Sequence, residues 1–329
     1  MNKKIILSIV AIIIFISIGI IWKQTRPIPK YTGSIEKVVL ANDMSFLNII
    51  AQEKGFFKEN GLDVHLIKVV SGISAIDNLL SGRVDIAPAT DFGGVGKIYS
   101  NKNLRILTQL SKNKGVSVIA RKDKGISQPS DLKGKTIGVA KKTIGEFFLG
   151  QFLTANNLSI KDITAVNLTS EEVVNQIENG QVDAVVIWEP YAYDIREKIG
   201  NKIAIWPDDS EVFIIAYSTD EFTKAHPVII ERYLSTMIQT VQYIKNNSIE
   251  AKAVVAKESH FKNAYIEYTW PLYDFNISLE QSLLHDLESK ARFFIANKLT
   301  DQTEVPNYLN FIYFDALEKI KPEAITIIK

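Results

Sequence analysis

Two stretches, AIDNLLSGRVDIA (Ala75–Ala87) and VVNQIENGQVDAV (Val173–Val185), read as the same unit placed 98 residues apart. In each, apolar residues at helical spacing run up to a glycine, Gly82 or Gly180. A polar residue, a Val and an Asp follow, and then an apolar strand. Glycine suits the position just past a helix end because no Cβ opposes a left-handed backbone there. Any helix-to-strand junction shares part of this pattern, but the common Gly-[Arg/Gln]-Val-Asp core points to two related lobes.

Working outward from the first copy, Val38–Ala41, Val64–Val69 and Val84–Ala87 read as strands, with helices over Phe46–Glu53 and Ala75–Leu80 between them. Around the second copy, Thr136–Ala140, Ile163–Leu168 and Ala184–Trp188 read as strands, with helices over Glu146–Thr154 and Glu171–Asn179. The repeated βαβαβ order predicts an α/β fold of parallel strands with helices on both faces. Arg105–Leu110 and Val116–Arg121 are strand-like, and Val212–Ser218 is a strand placed to return the chain to the first lobe. Helices follow over Pro227–Asn246, Ser248–Lys257, Leu279–Asn297 and Tyr308–Ile320. The expected organisation is lobe I from 34–121 and 212–329, lobe II from 122–211, and a cleft between them that closes about two crossings.

At 329 residues the chain is long enough for two filled cores, and 46% hydrophobic with 23% charged residues is a globular balance. Its 38 basic and 37 acidic residues nearly cancel, so bulk charge implies no nucleic-acid partner. Cysteine is absent, which excludes disulfides, thiolate metal sites and cysteine nucleophiles. At the N-terminus, Lys3 and Lys4 precede an uncharged run of 18 residues, Ile5–Trp22, followed by Lys23 and Arg26. That length reaches the lower limit for a membrane helix, and no Ala-x-Ala site follows. The run reads as an uncleaved N-terminal membrane anchor with an exported body. Cleavage at the small-x-small step Ser17-Ile-Gly19 is the alternative. Residues 1–33 are then anchor plus a Pro-containing spacer over Thr25–Gly33.

Five blocks carry a family resemblance: AQEKGFFKENGLDV (Ala51–Val64), Ser71-Gly72 with LLSGRVDIA, Pro129–Gly138, VDAVVIWEPY (Val182–Tyr191) and FTKAHPVIIERYL (Phe222–Leu234). In this order they resemble the nitrate/sulfonate/taurine-binding family of ABC-importer solute receptors. The resemblance implies a periplasmic-binding-protein type II fold. It also implies a small-molecule solute, permease and ATPase subunits as partners, and a monomer at the outer face of the cytoplasmic membrane. Pyrimidine-binding receptors of the same fold are the alternative for ligand class, and a membrane-tethered sensor is the alternative for role.

In open parallel sheets, ligands gather at the carboxyl ends of strands, where helices begin. Those ends are Asn42, Asp43 and Ser45, then Ser71 and Gly72, then Thr90 and Asp91 in the first copy. In the second they are Lys142 and Thr143, the Thr169–Glu172 turn, then Trp188 and Glu189. The resemblance places binding residues at Ser45, Ser71, Gly72, Asp91, Thr143 and Trp188. Helix N-termini at Ser71-Gly72 and Lys142-Thr143 suit a small anion, whereas Glu171 and Glu172 already occupy the positive end of the next helix. Each hydroxyl residue has a plainer reading as an N-cap, and Trp188 as core. Asp85 and Asp183 read as structural turn residues. Carboxylates at Asp43, Asp91 and Glu189 suggest that the ligand also carries an amine.

Enzyme readings fail on the residues. The run Gly93-Gly-Val-Gly-Lys97 misses a phosphate loop, because Asp91 stands at the first glycine position and Ile98 replaces the Ser or Thr. His65, His226, His260 and His285 make no metal-ligand spacing, and no Gly-x-Ser-x-Gly elbow is present. No cofactor, metal or catalytic residue is expected.

Overall fold

The computed structural model describes residues 33–42, 45–69, 71–207 and 210–329. The expected membrane helix at Ile5–Trp22 lies outside the described residues. Among the described residues no helix is long and apolar enough to cross a membrane.

In chain order the elements of the first copy are β1 (Glu36–Asn42), α1 (Phe46–Glu53), α2 (Phe56–Glu59), β2 (Leu62–Lys68), α3 (Gly72–Leu80), β3 (Ala87–Thr90), α4 (Asp91–Ser100) and β4 (Leu104–Asn113). The second copy comprises β5 (Val116–Arg121), β6 (Thr136–Val139), α5 (Ile144–Ala155), β7 (Thr164–Asn167), α6 (Ser170–Glu178), β8 (Ala184–Trp188), α7 (Tyr191–Ile199) and β9 (Ile203–Pro207). The chain then returns through β10 (Val212–Thr219) to α8 (Asp220–Ala225), α9 (Pro227–Asn246), α10 (Ser248–Ser259), α11 (Asn263–Thr269), β11 (Tyr273–Ser278), α12 (Gln281–Ala296) and α13 (Asp315–Ile320).

On the first side, β1 and β2 pair in parallel from Glu36↔Leu62 to Asn42↔Lys68. Beside them stands a four-stranded sheet ordered β11-β4-β10-β3, whose pairings are antiparallel. The second side is one five-stranded sheet ordered β7-β6-β8-β5-β9, in which β6 runs parallel to β7 and β8. The chain passes between the sheets from Asn113 to Val116 and again from Pro207 to Val212.

β8 shows why this second sheet forms. Its run Ala-Val-Val-Ile is apolar at every position, so both faces are buried: Ala184 and Val186 pack with Phe148 and Leu149 of α5, while Val185 and Ile187 pack with Val173, Ile177 and Ile195 on the other face.

The duplicated step is duplicated in geometry. Gly82 and Gly180 have φ of 73° and 68°. In each, the next residue's N–H reaches back to the helix, Arg83 to Asn78 O and Gln181 to Gln176 O, both at 2.9 Å. This closes a Schellman turn. Asp85 Oδ2 then accepts the N–H of Val39 at 2.7 Å, and Asp183 Oδ2 accepts that of Thr136 at 2.9 Å. Each Asp thus fixes the neighbouring strand to its own.

Three expectations need correction. Val116–Arg121 does not close the first lobe, because β5 pairs with β8 and β9 of the five-stranded sheet. The strand expected over Val84–Ala87 is displaced to Ala87–Thr90, with Ile86 making only a single bridge to Leu40. Tyr308–Ile320 is not one helix: a 3₁₀ turn over Tyr308–Phe311 precedes α13, and Ile312 bridges Ile106 between them.

Candidate functional site

Between the first side, with its two sheets, and the five-stranded sheet of the second lies a cavity of about 440 Å³, lined from both sides. On the first side it receives the starts of α1, α3 and α4. Ser71 Oγ accepts the Ser74 N–H at 3.1 Å and Thr90 Oγ1 accepts that of Gly93 at 3.3 Å. Ser45 precedes α1 without a side-chain cap bond. The hydroxyl protons of Ser45, Ser71 and Thr90 have no hydrogen-bond acceptor among the described residues, so three O–H donors remain at the positive ends of helices. Gly72 lets α3 start hard against β3, since a Cβ there would sit 3.2 Å from both Cα and Cβ of Ala89.

From the second side comes Thr143, whose hydroxyl is committed twice: it accepts from Gly145 N at 3.2 Å and donates to Ala140 O at 2.6 Å. Trp188 and Tyr191 meet edge to face, centroids 6.4 Å apart at 84°. Glu189 is half-buried, and its Oε2 accepts the Tyr193 N–H at 3.0 Å. Burial pushes its carboxyl up to about 7, against the opposing pull of that N–H and of Arg196. Glu171 stands in the lining with its Oε1 accepting the Tyr191 hydroxyl at 3.1 Å.

Of the residues expected at the site, Ser45, Ser71, Gly72, Thr90, Thr143, Trp188 and Glu189 come together in this one lining. Asp43 lies outside the described residues. Asn42 is not in the lining; its Oδ1 is buried without a hydrogen-bond partner among the described residues. Lys142 is exposed and also outside the lining, with its backbone N–H bonded to Glu146 Oε2 at 2.7 Å.

Asp91 is a correction of a different kind. It is 0% exposed, and Oδ2 accepts both Lys290 Nζ at 2.8 Å and the Phe213 N–H at 2.7 Å, where β10 leaves the second crossing. Lys290, itself 1% exposed, also holds Asp286 at 2.6 Å. The Asp91 carboxylate therefore ties α4, α12 and the crossing together and is closed to a cleft ligand. The glycines after it serve packing: a Cβ at Gly94 would overlap the Tyr217 hydroxyl, and one at Gly96 would come within 3.0 Å of Phe294.

Sequence reasoning missed the C-terminal wall. Phe261, Tyr265 and Thr269, around α11, and Tyr273 and Phe275 of β11 all line the cavity. Tyr273 and Phe275 stack at 5.5 Å and 10°, and Phe46 tilts against Tyr273 at 5.0 Å. The alternation Tyr273, Phe275, Ile277 is the strand signal that marks this wall.

The family described as NMT1/THI5 like matches residues 44–251. The chain belongs to the NMT1/THI5-like family. Among its relatives, a putative aliphatic sulfonates-binding protein of Bacillus subtilis is 29% identical over 62% of this chain, and the match spans 63% of that protein's length. The crystal structure of the periplasmic aliphatic sulphonate binding protein SsuA from Escherichia coli superposes with a TM-score of 0.75 at 15% identity, covering 87% of this chain and 99% of that one. The alkanesulfonate-binding protein SsuA from Xanthomonas axonopodis pv. citri, bound to MOPS, gives 0.70 at 16% identity, covering 86% and 99%. The NMT1/THI5-like chain therefore has the α/β periplasmic-binding-protein fold, as its sequence blocks imply, and these relatives are binding proteins.

Proposed function

We propose that this chain is the extracytoplasmic solute receptor of an ABC importer. It captures a small anion of the alkanesulfonate, taurine or nitrate type in the cavity between its sheets and delivers it to a permease and its ATPase. The observation that carries this reading is the convergence of three helix starts with uncommitted O–H donors, at Ser45, Ser71 and Thr90, on one cavity that the second sheet completes. Oriented N–H groups and hydroxyls favour negative charge without a lysine or arginine. The relatives' names point to the same class of ligand.

In this reading, one lobe is Ser34–Asn113 with Val212–Lys329, the other is Val116–Pro207, and the two crossings form the hinge. A solute bound by groups of both lobes stabilises the closed arrangement by its differential affinity for it. The segment Ile5–Trp22 anchors the monomeric body at the outer face of the membrane. A thermal-shift screen of the full chain against small sulfonates, nitrate and pyrimidines tests the reading. A binder at 100-fold excess over its dissociation constant stabilises by about 2.7 kcal/mol. A shift with pyrimidines and none with sulfonates or nitrate overturns the anion reading.

A further inference from the structure

We infer that the solute carries an aryl ring bearing one anionic group, with the ring held between the Trp188–Tyr191 pair on one side of the cavity and the Tyr273–Phe275 pair on the other. This inference rests on the receptor reading and narrows its ligand class.

The charged side chains in the lining are Glu171 and Glu189, both acidic; no lysine, arginine or histidine joins them among the described residues. An anionic group must therefore be held by helix ends and hydroxyls. Each helix end offers about half a unit charge. Three O–H donors without an acceptor among the described residues, at Ser45, Ser71 and Thr90, stand on the first side, whereas the one such hydroxyl at a helix start of the second side, Ser170, sits next to the Glu171 carboxylate. Thr143, across the cavity, has both its roles filled. The site thus accommodates one anionic group at one end and opposes a second near Glu171 and Glu189.

The rest of the wall is built for something else. Among the described residues, eight aromatic side chains line the cavity. A bare inorganic ion has no apolar surface to set against them, and it fills little of about 440 Å³. A short alkyl chain gains burial but none of the ring-on-ring contact. A ring flanked by Trp188 and Tyr273 gains both, which is worth on the order of tenfold in affinity.

Calorimetric titration of the full chain with benzenesulfonate, ethanesulfonate, nitrate and 1,3-benzenedisulfonate tests the inference. Benzenesulfonate is expected to bind at least about tenfold more tightly than ethanesulfonate, with the disulfonate weaker than benzenesulfonate. Trp188→Ala should weaken benzenesulfonate by a larger factor than ethanesulfonate, so that most of the benzenesulfonate advantage is lost; an equal loss for both contradicts the ring contact. Tyr273→Leu gives the same comparison from the opposite wall, and the ranking by the unaltered chain stands without either variant. Ethanesulfonate or nitrate equal to or tighter than benzenesulfonate overturns the aryl inference and leaves the receptor reading in place. Binding of none of the panel overturns both.

Discussion

Replacing Asp91 with alanine separates a structural role from a ligand-binding one. The carboxylate is fully buried, ion-paired to Lys290 at 2.8 Å and bonded to the N–H groups of Phe92 at 2.5 Å and Phe213 at 2.7 Å. Breaking a buried pair costs about 3–5 kcal/mol because the surviving charge stays buried, and an orphaned buried N–H adds about 1–3 kcal/mol. Two features reduce the sum. Asp286 remains beside Lys290 at 2.6 Å, and loss of the Asp91 charge removes one of the influences that hold Asp286 protonated. We expect Asp91→Ala to lose about 3–5 kcal/mol, and Asp91→Asn, which keeps an acceptor for Phe213, about 1–3 kcal/mol. Urea unfolding followed by circular dichroism at fixed pH, with unchanged m-values, is the assay. If both variants unfold within about 0.5 kcal/mol of the unaltered chain, the latch argument is wrong. If solute affinity falls while stability holds, Asp91 is a cleft residue after all.

Other predictions follow from the same geometry. Asp286 has its carboxyl pushed up to about 8 by burial and by the charge of Asp91. Between the ordinary carboxylate range and about pH 8, the unfolded chain has lost this proton while the folded chain keeps it. Stability from this group therefore falls as pH rises across that window and levels off above it. Asp286→Asn should remove that part of the slope in melts taken from pH 5 to 9. Glu189, raised to about 7, repels a bound anion once ionised; affinity for benzenesulfonate should weaken from pH 6 to 8 by titration, and Glu189→Gln should flatten the trend. Asp85→Ala and Asp183→Ala should each cost about 1–3 kcal/mol in urea unfolding, because each strands one strand N–H; a cost at one and none at the other contradicts their equivalence. Gly94→Ala should destabilise by about 1–3 kcal/mol or more, since its Cβ meets the fully buried Tyr217.

The parts of the fold legible in the sequence are those whose causes are local. Glycine-terminated helices at Gly82 and Gly180, the apolar run of β8 and the hydroxyl caps at Ser71, Thr90 and Thr143 each depend on a few neighbouring residues. Long-range pairing was not legible. Asp91 follows a strand end just as Ser71 precedes a helix, and only Lys290, 199 residues away, shows that its charge is occupied. Lys290 lies on α12 in a pattern that reads as an ordinary amphipathic helix, and nothing nearby marks it as 1% exposed. β5 has the same apolar composition whichever sheet receives it, and its pairing with β8 and β9 settles the matter. The aromatic wall was missed because Phe261–Phe275 lies far in sequence from the repeated units and returns to the cleft through long-range contacts, β11 pairing with β4 and Tyr265 packing on Tyr193.

The central claim is that Ser45, Ser71 and Thr90 hold the anionic end of a solute. Calorimetric titration of benzenesulfonate and ethanesulfonate into the unaltered chain and into a Ser71→Ala/Thr90→Ala double variant tests it most directly. The account predicts saturable binding at one site per chain, weakened at least about tenfold in a double variant that keeps its far-ultraviolet dichroism. Saturable binding that the double variant leaves unchanged, or no saturable binding by the unaltered chain, contradicts it.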